Sequence, residues 1–198
     1  MDSWGSLFER AAGIDADERA VREAVESVRS GDGDPPDADP APPADSGPAR
    51  VVADADVLAA DLLVGDAARD ALDPLRSHSW TALLASDPLL DDAAATIADL
   101  ADPDLAAAWR ERLADWRESV THPPGDNPAL GSAYRGGAMH LLTFDDRLLS
   151  TQAGATLGTD LTVSARHPEA FAALFDAASL YPEVVGGAYP GPDRDPRE

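Results

Sequence analysis

Val51-Val52-Ala53-Asp54-Ala55-Asp56 is a short apolar run that ends in carboxylates. Such a run reads as an internal strand that delivers an acid at its carboxyl end. The pattern returns at Leu141-Leu142-Thr143-Phe144-Asp145-Asp146, with Asp126-Asn127 shortly before it. Outward from these, Trp80 to Ala85 reads as a second strand, Met139 to Thr143 as a third and Leu161 to Ser164 as a fourth. Helices are predicted over 57–77, Leu90 to Leu100, 104–120, Asn127 to Arg135 and Pro168 to Leu180. The helix over 104–120 sets Leu105, Trp109, Leu113, Trp116 and Val120 on one face, and Pro123-Pro124-Gly125 stops it. Alternating strands and helices predict an α/β fold, a three-layer αβα sandwich around a mainly parallel sheet of four to five strands. In such sheets ligands bind outside the carboxyl ends of the strands, where strand order switches. Asp54 and Asp145 fall at that place.

Four segments follow from composition. Residues 1–29 read as an N-terminal helical segment in two pieces, with Asp15 and Glu18 as a capping pair and Val21, Ala24, Val25 and Val28 as an apolar stripe. Residues 30–49 are Gly, Asp, Pro, Ala and Ser without periodicity and predict a disordered linker, so that the helical segment is tethered to the domain and not built into it. The main domain spans 50–185, and the Gly- and Pro-rich residues 186–198 read as a flexible tail. The stripe offers a contact for the domain, for a second copy in a homodimer, or for another protein.

The 198-residue chain has a net charge of −22, and all 15 of its basic residues are arginine. That balance predicts a halophilic, cytoplasmic protein whose acidic surface is screened by salt, since the Debye length falls to about 3 Å at molar ionic strength. The same screening weakens the usual objection to an acidic protein binding nucleic acid. Without cysteine there is no disulfide, thiolate metal site or cysteine nucleophile. No apolar run reaches the ~20 residues of a membrane helix, and no membrane association is expected. His78, His122, His140 and His167 are scattered and form no close pair.

The stretch Val51 to Leu58 resembles the first motif of PIN domains, a hydrophobic strand ending in Asp two residues before a usual Asn or Thr. From Asp126-Asn127-Pro128-Ala129 through Ala133 and Gly136-Gly137-Ala138 to Leu141-Leu142-Thr143-Phe144-Asp145, the chain resembles the family's closing half. There an Asp opens a helix, a turn rich in small residues follows, and a strand runs into Thr-x-Asp. Leu161-Thr162-Val163 and Pro168-Glu169-Ala170-Phe171 resemble the family's ending, so the resemblance covers roughly residues 50–180. It implies a PIN-like, Mg²⁺- or Mn²⁺-dependent endoribonuclease, with RNA as partner. Asp54, Asp126 and Asp145 match the family's metal-binding acids. The second acid, usually Glu, falls at Asp92 with Asp91 as competitor, one methylene shorter than the family's residue. The implied catalytic set is thus Asp54, Asp92, Asp126 and Asp145. Asp56 stands where the family has a neutral residue, adding a ligand or raising the local charge.

The chemistry is coherent with that implication. A divalent ion can provide a nucleophilic water and relieve charge on a phosphate, and Mg²⁺ takes oxygen ligands. Thr143 and Asn127 are placed to hydrogen-bond a carboxylate or a phosphate. Arg135 and Arg147 flank the acids as candidates for RNA backbone contacts, or for surface salt bridges. In so acidic a chain Asp126 serves equally well as a helix cap before Pro128. Asp91 and Asp92 serve as first-turn charges, and Asp56 and Asp146 as solvated acids. The alternative to the nuclease is a catalytically inactive PIN-like scaffold that binds RNA or protein.

Overall fold

Among the described residues, five strands form one all-parallel sheet: β1 (Gly47–Ala53), β2 (Ala82–Ala85), β3 (Glu118–Ser119), β4 (Ala138–Leu142) and β5 (Ser164–Arg166), in the order β3-β2-β1-β4-β5. The computed structural model describes residues 2–30, 44–150 and 163–198. Within them the helices are α1 (Trp4–Ala11), α2 (Glu18–Ser30), α3 (Ala55–Leu63), α4 (Asp66–Arg76), α5 (Asp87–Leu100) and α6 (Pro103–Trp116). They continue as α7 (Pro128–Gly136), α8 (Asp146–Leu149), α9 (Pro168–Leu174) and α10 (Ala177–Val184). The fold is α/β, with the arrangement of a three-layer sandwich. Val51 pairs with Leu83 on one side and with His140 on the other. β1 is therefore central, and Val51, Val52 and Ala53 are fully buried. The chain builds outward from β1 through β2 to β3, then returns to the other side for β4 and β5. The strand order switches between β1 and β4.

Several boundaries differ from the sequence reading. The helix expected over 57–77 breaks at Gly65, which has φ +86° and donates its N–H to Ala60 O at 2.8 Å. Glycine just past a helix end takes this conformation without a Cβ penalty. The helix expected from Pro168 to Leu180 also divides, because the Asp176 carboxylate accepts the Ala178 and Ser179 N–H groups and starts α10. The helix over 104–120 ends at Trp116, and Glu118 and Ser119 pair with Leu84 and Ala85 as edge strand β3. Val120 is thus off the helical face and donates its N–H to Ala85 O. The N-terminal cap of α2 is Asp17, which accepts the Ala20 N–H at 2.8 Å, and not Asp15. Of the fourth predicted strand, Leu161 and Thr162 lie outside the described residues, and the pairing runs over Ser164–Arg166.

The largest correction concerns the N-terminal segment, which is built into the domain. Trp4, Leu7, Val21 and Val25 belong to the same buried cluster as β1 and α3. α1 packs on α3 and α6, and α2 packs on α3 and α5. The physical reason is α3 itself: all nine of its residues, seven of them apolar, are buried, and a helix buried all round needs neighbours on every side. Residues 31–43 of the expected disordered linker lie outside the described residues. Its end is ordered: the Ala44 N–H donates to Arg135 O, and the Gly47 N–H to Gly137 O where β1 begins. The 186–198 tail is pinned as well. Asp193 and Arg194 donate backbone N–H groups to Ser77 O, Tyr189 Oη lies 2.6 Å from His78 Nε2, and Arg197 pairs with Asp73 at 2.8 Å. Arg197 O accepts the Gly5 N–H at 2.9 Å, which satisfies a donor that the first turn of α1 leaves open.

Candidate functional site

The carboxyl ends of β1 and β4 lie side by side, since the Asp54 N–H donates to Leu142 O at 2.8 Å. Each strand runs straight into a helix, so each first acid caps the helix after it. Asp54 Oδ1 accepts the Ala55 N–H at the start of α3, and Asp145 Oδ1 accepts the Arg147 N–H at the start of α8. Asp54, Asp56 and Thr143 are buried. The Thr143 hydroxyl lies 3.2 Å from Asp54 Oδ2 and 3.4 Å from Asp56 Oδ2, and it accepts the Asp145 N–H at 3.0 Å. With one proton to give, it serves the two carboxylates in alternation. Asp56 also accepts the Val57 N–H at 2.6 Å and the Phe144 N–H at 3.0 Å.

Arg29 of α2 completes the arrangement. Its Nη2 lies 2.6 Å from Asp54 Oδ1, and its Nε lies 2.9 Å from Asp92 Oδ2. Burial alone would lower this guanidinium, but the Asp54 and Asp92 carboxylates outweigh it and hold it above its ordinary value. Asp92 is buried in α5, whose cap is Ser86, so it lies past the first turn. Beside these groups is a cleft of about 600 Å³ lined by Arg22, Arg29, Asp56, Phe144, Asp145 and Arg147 among others.

The other sequence candidates divide. Arg147 pairs with Asp145 at 3.0 Å and with Glu26 at 3.4 Å on the rim of the cleft. Asp146 is exposed in the first turn of α8 and lines the same cleft. Asp91 faces outward and pairs with Arg110 at 2.7 Å. Asp126 is exposed on a turn, its N–H donating to Pro123 O. The cap of α7 is Asn127, which accepts the Ala129 and Leu130 N–H groups. Asp126 therefore neither caps the helix nor joins the carboxylates that share Thr143 and Arg29. Arg135, near the end of α7, lies 5.4 Å from the Tyr134 ring. Among the described residues, no three His, Cys, Asp or Glu side chains are grouped closely enough to hold a metal ion. Arg29 was missed from the sequence. Its signal is the spacing of Arg22, Val25 and Arg29, which puts two arginines on the flank of the apolar stripe of one helix.

Burial, and next the adjacent Asp54 charge, push the Asp56 carboxyl well above the usual aspartate value of 3.8, against the Phe144 and Val57 N–H groups. For Asp145 burial acts in the same direction, but hydrogen bonds from Arg147 outweigh it and hold the carboxyl below 3.8. A raised folded value means that Asp56 contributes stability below its unfolded value, and that this stability is lost as pH rises through its folded value. Asp145 has the opposite sign: its contribution is present above its unfolded value and is lost as pH falls through its folded value. In a carboxyl-carbon NMR titration Asp56 is expected to titrate well above 3.8 and Asp145 below it. An Asp56 midpoint at or under 3.8 would contradict a buried carboxyl facing Asp54.

No curated protein and no solved structure matches the chain. The model of a family of unknown function, DUF7384, matches residues 45–197, which take in all five strands, Asp54, Asp56, Asp92, Thr143 and Asp145, while α1 and α2 precede it. With well over half of its length matched, the chain belongs to the DUF7384 family of unknown function.

Proposed function

We propose that this chain is a Mg²⁺- or Mn²⁺-dependent endoribonuclease of PIN type. The observation that carries the reading is the meeting of carboxylates from separate elements around one cation, at the switch in strand order. Asp54 follows β1, Asp92 comes from α5, and Arg29 binds both. Asp56 shares Thr143 with Asp54. The donor set fits a hard divalent ion in kind, being all carboxylate oxygen. In spacing, Asp54 and Asp92 are set by the guanidinium between them. Asp54, Asp56 and Asp92 are the residues that would hold the ion, with Asp145 at the cleft edge. A bound divalent ion supplies a nucleophilic water and relieves charge on the phosphate. Thr143 orients the Asp54 and Asp56 carboxylates, and Arg147 offers its guanidinium to an RNA phosphate once it leaves Asp145. Arg135 remains a proposed backbone contact farther along the strand.

In high KCl with Mn²⁺ and labelled RNA, Asp54→Asn is expected to lose at least about a hundredfold in cleavage rate, equivalent to about 2.7 kcal/mol. Cleavage that survives this substitution, or that persists in excess chelator, overturns the assignment. The second reading is a PIN-like scaffold that binds RNA or protein without cutting. It is favoured by Asp126, which matches the family pattern yet stands apart from the Arg29-bound carboxylates.

A further inference from the structure

Asp54 Oδ1 accepts both the Ala55 N–H at 2.7 Å and Arg29 Nη2 at 2.6 Å, so its two lone pairs are in use. Asp92 Oδ2 accepts Arg29 Nε at 2.9 Å. A divalent ion takes carboxylate oxygens at about 2.0–2.1 Å, well inside those contacts. Arg29 and a metal ion therefore compete for the same oxygens.

The competition involves the whole of α2. Arg22 Nη1 donates to Phe144 O at 3.4 Å, and Glu26 pairs with Arg147. Together with Arg29 they make α2 one wall of the cleft at the ends of β1 and β4. The wall differs in grip along its length. Val21 and Val25 are buried, whereas the Arg29 side chain keeps 26% of its surface exposed and Glu26 keeps 70%. The contact to the acids thus sits at the carboxyl end of α2, beyond the buried Val21 and Val25. Charge gives the contact its purpose. Without Arg29 the buried Asp54 carboxylate would lose its ion-pair partner, a costly state in a low-dielectric site.

We infer that α2 is an intramolecular closing element of the acidic site: Arg29 stands in for the divalent ion, and metal loading requires Arg29 to leave Asp54 and Asp92. The inference rests on the reading of these acids as metal ligands and does not require that the site cut RNA. A closed majority form reduces apparent metal affinity by the fraction of molecules that are open.

The test compares the full-length chain with Arg29→Gln in high KCl, by thermal unfolding and by electron paramagnetic resonance of free Mn²⁺. Without metal, Arg29→Gln is expected to melt below the parent, and Mn²⁺ is expected to restore the loss. Arg29→Gln is also expected to bind Mn²⁺ at least about tenfold more tightly than the parent. If the variant does not fold without metal, refolding in Mn²⁺ becomes the readout: recovery supports the inference and failure to recover overturns it. Equal Mn²⁺ affinity in the two proteins, or a lowered melt that Mn²⁺ does not correct, also overturns it. RNA cleavage on the same samples separates the two readings. Tight Mn²⁺ binding by Arg29→Gln without cleavage keeps the closing element and removes the nuclease. Metal-dependent cleavage by the parent, at unchanged Mn²⁺ affinity in the variant, does the reverse.

Discussion

Arg76→Ala is expected to cost about 3–5 kcal/mol of stability, because it leaves a buried carboxylate without its principal partner. Asp61 lies in α3 and Arg76 at the end of α4, and each side chain is only 2% exposed. Arg76 binds both Asp61 oxygens, Nη1 to Oδ1 at 3.0 Å and Nη2 to Oδ2, and Nη1 also reaches Asp73 at 3.0 Å. Its guanidinium carbon sits 4.3 Å from the Trp4 ring centroid and 4.9 Å from that of Trp116. The nearest substitute is Arg69, whose Nε is 4.0 Å from Asp61 and whose side chain is 24% exposed. Arg69 already donates to the Asp61 and Leu62 carbonyls, so it has little freedom to take over. The size of the effect is that of a broken buried pair, not of the pair's net worth. The double variant Arg76→Met with Asp61→Leu is accordingly expected to recover most of the loss. Urea unfolding at fixed high KCl measures both. A loss under about 1 kcal/mol for Arg76→Ala would mean that the pair behaves as an exposed one.

The sheet and its trailing acids were legible because their physics is local. A central parallel strand needs a continuous apolar run, and Val51 to Ala53 and Leu141 to Leu142 supply it; the residue after each run has to leave the sheet at its carboxyl end. Helix breaks were less legible. Gly65 lies inside a stretch whose apolar spacing continues past it, and only the left-handed turn at that residue reveals the end of α3. β3 is two residues long and exposed, defined by its pairing with Leu84 and Ala85 and not by its composition. The site was half legible. Placement after a strand points to Asp54 and Asp145, whereas Asp92, Thr143 and Asp126 rest on the family's order along the chain; the fold brings Asp54, Asp92 and Thr143 into one hydrogen-bonded group and leaves Asp126 on an exposed turn. Arg29 could not be ranked among 15 arginines, since what selects it is a contact across 25 residues to Asp54 and 63 to Asp92.

The same long-range character explains why the N-terminal helices looked tethered, and it makes Trp4→Ala the second large effect. Trp4, Leu7, Phe8 and Ala11 recur at helical spacing and give α1 an apolar face, but the spacing does not say what that face packs on, and Trp4 is fully buried. Its ring meets Trp116 edge-on at 5.5 Å, lies 6.0 Å from Phe8, and faces Arg76 on α4. Truncating a buried tryptophan costs about 3–5 kcal/mol through lost transfer energy and the cavity left behind. Part of that loss is shared with Arg76, which stacks on the same ring. The Trp4→Ala and Arg76→Ala costs should therefore fall short of additivity by roughly 0.5–2 kcal/mol in a double-mutant cycle. The shape of the transition is as informative as its midpoint. If α1 and α2 share the core of α3, helix content by circular dichroism and tryptophan emission fall together in one urea transition, in the parent and in Trp4→Ala alike. An appendage on a flexible tether would instead lose under about 1 kcal/mol on Trp4→Ala, the range of an ordinary surface substitution. It would also melt its helices ahead of the sheet. That outcome would remove the support from beneath α2, and with it the placement of Arg29 against Asp54 and Asp92.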